Sequence, residues 1–157
     1  MKSFLLDHKE QILIYTCTIL VFLWIYTALS KLSDLTEFKK QLDNQTFGNS
    51  TATFLFWFIP ISELTAAALL LFRKTRYAGL MLSTLLMFLF TGYIALVLLG
   101  FYERTPCSCG GVLKEMSWQM HLWFNIFFLL LSGLGIFLAR FPAHSKKRIR
   151  NKSTMLF

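Results

Sequence analysis

Four runs of apolar residues, each about 20 long, alternate with shorter stretches that hold most of the charge. They are residues 11–30, "QILIYTCTILVFLWIYTALS"; 53–72, "TFLFWFIPISELTAAALLLF"; 78–100, "AGLMLSTLLMFLFTGYIALVLLG"; and 119–139, "QMHLWFNIFFLLLSGLGIFLA". A helix needs about 20 apolar residues to cross a hydrocarbon core of roughly 30 Å, so each run predicts one transmembrane helix. The runs are continuous rather than alternating, which excludes a transmembrane barrel. Between the first two, Leu32, Leu35, Phe38 and Leu42 recur at spacings of three and four with Asp, Glu and Lys between them. That register predicts a short amphipathic helix over about 32–46, lying along the membrane surface. Ser33 and Asp34 can cap its start, Glu37 fits an early position, and Gly48, Asn49 and Ser50 are expected to end it. The expected fold is an all-α membrane protein, a four-transmembrane-helix bundle with a surface helix after the first span.

Composition agrees with the pattern. Of 157 residues, 55% are hydrophobic and only 15% charged, against about 25% charged in an ordinary soluble domain. A soluble reading would have to bury 17 Phe and 4 Trp in one small core. The chain reads as a single membrane domain over 1–157, with a basic tail from 140 to 157. The first run is expected to be a retained helix. Its "ALS" at 28–30 would suit cleavage, but the run exceeds the roughly 7–15 residues of a signal-peptide core, and Asp7 and Glu10 precede it.

The net charge of +8 is distributed unevenly. Lys2, Lys9, Arg73, Lys74, Arg76, Arg140, Lys146, Lys147, Arg148, Arg150 and Lys152 fall on one side of the four spans, eleven in all. Lys31, Lys39, Lys40, Arg104 and Lys114, five residues, fall on the other. The positive-inside bias puts both termini in the cytoplasm of a bacterial inner membrane. The tail "KKRIRNK" then reads as an anchor on anionic lipid, with no nucleic-acid role. Residues 31–52 and 101–118 are expected in the periplasm, where disulfides form and persist.

One of those loops reads "ERTPCSCGGVLKEMSW", residues 103–118. Pro106 favours extended geometry before it, and Gly110 and Gly111 permit a tight reversal. A disulfide between Cys107 and Cys109 would close a very small ring. Strained, exposed disulfides have higher reduction potentials and exchange more readily, whereas a stabilising staple would join cysteines far apart in sequence. The spacing favours an exchanging pair. A metal site is the rival: soft thiolates suit copper or zinc, with His121 nearby, but structural zinc takes four ligands and a fourth is not obvious. An inert loop is the third alternative. Cys17, about seven residues into the first helix from the cytoplasmic side, reads as a small buried apolar residue.

Glu63 is the one acidic side chain inside a hydrophobic span. A lone carboxylate there costs several kcal/mol, so it should be paired, protonated or lining a polar cavity. Tyr93, His121, Asn125 and Lys31 fall in the same outer half and could complete a polar pocket, making Glu63 a candidate proton carrier. Against this stand structural readings. Glu63 could tie helices together near a kink at Pro60, and His121 could be a satisfied interfacial histidine. Tyr102, Trp118 and Trp123 fit an aromatic belt, and "GLG" at 133–135 fits close helix packing.

"ALSKLSDLTEFKKQL" at 28–42 and "IPISELTAAALL" at 59–70 resemble the DoxX-like superfamily of four-helix membrane proteins. "PCSCGG" at 106–111, before the fourth helix, resembles its MauE (methylamine-utilisation) branch. The likeness runs over roughly residues 10–140. It implies a redox-associated bacterial inner-membrane protein, with disulfide formation in an exported subunit as the branch's role and sulfur-compound oxidation elsewhere in the superfamily. Lys31–Asp34, Glu63, and Cys107 with Cys109 fall on the family's recurrent positions. "PCSCGG" departs from a Cys-x-Cys-Phe-Gly form, which keeps the thiols and changes the partner surface.

The leading expectation is a thiol–disulfide redox protein. Cys107 and Cys109 would exchange disulfides with a periplasmic thioredoxin-like protein or an exported cysteine-containing one. Arg104 and Lys114 would favour a thiolate and Glu103 and Glu115 would oppose it. Electrons would leave to a partner or to a membrane quinone near Glu63, Tyr93 and His121. The alternatives are a non-enzymatic membrane adaptor that docks a periplasmic partner and, below it, soft-metal handling.

Overall fold

The computed structural model describes residues 8–43, 48–101 and 117–140. They form five helices and no strand: α1 Lys9–Ser33, α2 Leu35–Asp43, α3 Asn49–Leu71, α4 Arg76–Leu98 and α5 Trp118–Arg140. All but α2 are long and apolar enough to cross a membrane. The four expected spans are therefore present, each with its ends shifted by a few residues.

The shifts have local causes. α1 does not stop at residue 30 but runs to Ser33, and the break falls at Asp34, whose backbone leaves helical geometry at φ −137°, ψ 74°. Asp34 then caps α2 alone: the Glu37 N–H donates to its Oδ1 at 3.0 Å. Ser33 takes no part, because its hydroxyl turns back to the Ser30 carbonyl. The break resets the helical phase. Leu32 and Leu35 are consequently exposed, and only Phe38 and Leu42 carry the packing of α2. Both press on α3 beside Ala52, Leu55, Phe56 and Ile59, with the Phe38 and Phe56 rings stacked at 5.5 Å. Gly48 does not close the surface helix but opens α3, its carbonyl accepting from Thr51 and Ala52. The helix continues through Pro60 to Leu71.

The long helices run up and down, each packed beside the next in sequence. α1 lies most extensively on α3 and α4 on α5, α3–α4 and α1–α5 contacts complete the ring, and α1 barely meets α4 across the diagonal. Phe72–Thr75 make the turn between α3 and α4, held by the Thr75 hydroxyl donating to the Leu69 carbonyl at 2.8 Å. Just beyond it, a Cβ on Gly79 would lie 2.8 Å from the Leu70 backbone nitrogen, so only glycine lets the two helices come this close. Gly135 plays a similar part against Leu80 and Thr16, whereas Gly133 faces open space. Packing thus falls to one glycine of the 133–135 motif.

Side-chain placement is that of a protein in lipid. The interior holds Leu20, Trp24, Leu70 and Leu80 but also Thr16, Ser62, Ser83, His121, Asn125 and Ser132, while Tyr15, Phe22, Phe58, Phe88, Trp123 and Leu130 point outward. In water that outer surface would be unfavourable by many kcal/mol at about 25 cal/mol per Å². In a bilayer it is solvated by acyl chains, and interior polar groups join the helices. Trp24 Nε1 donates to Ser83 Oγ at 2.8 Å, linking α1 to α4. Thr84 and Ser132 hydroxyls meet at 3.0 Å, linking α4 to α5. Cys17 is buried and is the one free cysteine among the described residues.

Candidate functional site, a buried ion pair between α1 and α3

Two ionisable side chains of opposite kind meet inside the bundle. Lys31, in the last turn of α1, projects from the face that packs on α3. Its Nζ lies 2.8 Å from Glu63 Oε1, with the side chains only 3% and 1% exposed. The same ammonium donates to the Thr27 carbonyl one turn back at 3.2 Å, and the Thr27 side chain borders the Glu63 carboxyl. Helical spacing makes this possible: residues 27 and 31 share a face of α1, and Ser62, Glu63, Ala66 and Ala67 form the opposing buried face of α3. Small alanines below Glu63 let the helices approach. The charges cancel, so the pair is electrically neutral as a unit.

α5 contributes the second half. Ser117 caps it, accepting from the Met120 N–H at 3.3 Å, and this fixes the first turn from which His121 points inward. His121 and Asn125 follow at four-residue spacing on the inward seam, 1% and 3% exposed. The His121 ring is stacked on Trp118, with centroids 6.3 Å apart and planes within 9°. Trp118 is thus half-buried against the histidine, while Trp123 faces outward.

The hydrogen-bond inventory is incomplete. Among the described residues Glu63 Oε2, His121 Nε2 and Asn125 Nδ2 are buried without a hydrogen-bond partner, as is Arg76 Nε at the start of α4. An unmet buried polar group costs about 1–3 kcal/mol, so each of them calls for an explanation. The first three offer one acceptor, one donor and an imidazole nitrogen that can be either.

Of the residues singled out in the sequence, the fold brings Lys31 and Glu63 into contact and buries His121 and Asn125 one turn apart on the inward seam of α5. Tyr93 is half-buried on α4, five residues before its end. Cys107, Cys109, Arg104, Lys114, Glu103, Glu115 and Tyr102 lie outside the described residues, as does the tail beyond Arg140. By chain connectivity the cysteine segment joins the end of α4 to the start of α5, the end at which His121 sits. Among the described residues no three His, Cys, Asp or Glu side chains gather as a metal site would require. Two roles escaped the sequence reading, Thr27 as acceptor for Lys31 and Trp118 as the plate under His121. The spacings 27–31 and 118–121 carried the signal for both.

The chain matches the family model described as methylamine utilisation protein MauE over residues 9–138. No curated protein and no solved structure matches it. The family match begins at the first residue of α1 and ends two residues before the last of α5, so it takes in all four apolar helices and the buried pair at once. The chain belongs to the MauE family.

Proposed function

We propose that this membrane protein exchanges disulfides with a periplasmic thioredoxin-like or exported cysteine-containing partner through Cys107 and Cys109. The observation that carries this reading is the buried Lys31–Glu63 pair together with the unpartnered, buried Glu63 Oε2, His121 Nε2 and Asn125 Nδ2. Exchange with a partner dithiol passes two protons from the partner to the pair, and re-oxidising the pair then releases two. Ionisable groups with free hydrogen-bonding capacity, at the bundle end where the cysteine segment attaches, give those protons somewhere to go. A passive adaptor has no use for them, and intramembrane ionisable residues are functional candidates by default.

The exchange balances by itself. A partner thiolate attacks one sulfur of the Cys107–Cys109 disulfide, the S–S bond breaks, and a mixed disulfide forms. The partner's second thiolate then displaces it, so the partner leaves oxidised and the pair is left as a dithiol. The reverse flow uses the same intermediate. Cys107→Ser and Cys109→Ser test it: at least one should accumulate a mixed disulfide with a periplasmic protein, visible as a reductant-sensitive mass shift. If neither traps a partner and the double variant still supports the cell's function, the adaptor reading takes its place.

A further inference from the structure

The unmet hydrogen bonds can be asked what they would hold. Lys31 and Glu63 cancel each other's charge, so a charged ligand gains no net attraction there. A metal ion finds no cluster of three ligating side chains among the described residues. The available groups are an acceptor at Glu63 Oε2, a donor at Asn125 Nδ2 and an adaptable nitrogen at His121 Nε2, all buried. A fitting ligand is therefore neutral and carries oxygen atoms that accept in one state and donate in another. It must also reach an interior flanked by apolar, lipid-facing helix surfaces, so it is itself lipid-soluble. Trp118, stacked on His121, adds an aromatic surface at the entrance turn of α5.

We propose that Glu63, paired with Lys31, and His121 and Asn125 on the inward seam of α5 form a head-group site for a quinone and its quinol. In the oxidised form the carbonyl oxygens accept from Asn125 Nδ2 and from His121 when its Nε2 carries the proton. In the reduced form a hydroxyl donates to Glu63 Oε2. The role in electron transfer rests on the thiol reading above: two S–H bonds break and one S–S bond forms at Cys107 and Cys109, and the quinone takes the two electrons and two protons as two new O–H bonds. Binding itself does not depend on the cysteines.

The test uses the full chain in lipid nanodiscs, carrying Cys107→Ser and Cys109→Ser so that no thiol chemistry intervenes. Decylubiquinone and its quinol are the probes, and quenching of tryptophan fluorescence is the readout. Saturable quenching is expected, weakened about tenfold by Asn125→Leu and unchanged by Ser132→Ala on the same seam. Glu63→Gln should weaken the quinol about tenfold while moving the quinone little, a selectivity that a folding defect would not produce. Quenching that rises linearly and equally in all variants, as partition into the bilayer would give, overturns the site and leaves water as its occupant. The two proposals fail separately. Saturable binding without any trapped mixed disulfide sinks the exchange reading alone, and trapping without saturable binding sinks the quinone site alone.

Discussion

At the residue scale the fold turns on Lys31 and Glu63. Each alone would be a buried, uncompensated ion, and together they make a 2.8 Å bridge between α1 and α3. Removing one partner from such a pair is destabilising by about 3–5 kcal/mol, while replacing both with apolar residues is often neutral. Glu63→Ala should therefore unfold far more readily in thermal or denaturant titration than the double variant Lys31→Met, Glu63→Leu. A double variant as unstable as the single one would show that the pair is not the determinant. Both residues were legible in sequence as ionisable groups in the same half of the membrane. Their contact was not, because residues 32 apart on different helices share no local periodicity. The end of α1 escaped for a related reason: a lysine normally marks the edge of a span, and here Glu63 neutralises it, so the helix continues to Ser33.

At the scale of elements, the long apolar runs were legible because length and composition alone decide a span, and the details that depend on packing were not. Gly79 and Gly133 look alike in sequence, yet one meets backbone and the other nothing. Gly79→Ala is expected to destabilise the α3–α4 hairpin by about 1–3 kcal/mol through overpacking. Gly133→Ala should be neutral or mildly stabilising, since alanine favours a helix by up to about 1 kcal/mol over glycine. Thermal melts of the two variants in one detergent check the contrast. α2 shows the same division. Its four-residue apolar register was readable, but the break at Asp34 leaves Leu35 exposed and gives the docking to Phe38 and Leu42. Phe38→Ala should release α2 from α3 and speed proteolysis within 35–43 by about tenfold or more, given roughly 3 kcal/mol for losing a buried phenylalanine. Leu35→Ala should leave the rate unchanged.

At the scale of the whole molecule, apolar side chains face outward and polar ones knit the interior, the arrangement expected of a bundle solvated by lipid. The up-and-down order of α1, α3, α4 and α5 places Gly48 and Lys74 at opposite ends. Single cysteines at those positions, in a chain otherwise free of cysteine, should label from opposite sides of the membrane, with Lys74→Cys reached from the cytoplasm. Labelling of both from one side would overturn the topology. The proposed exchange requires Cys107 and Cys109 to change state. The most direct measurement of that is the redox state of Cys107 and Cys109 in living cells, read by alkylating free thiols from the periplasmic side before and after mild reductant. Exchange predicts a mixture of dithiol and disulfide that shifts to dithiol with mild reductant and returns when it is withdrawn. A pair found permanently oxidised and resistant to reductant would contradict it.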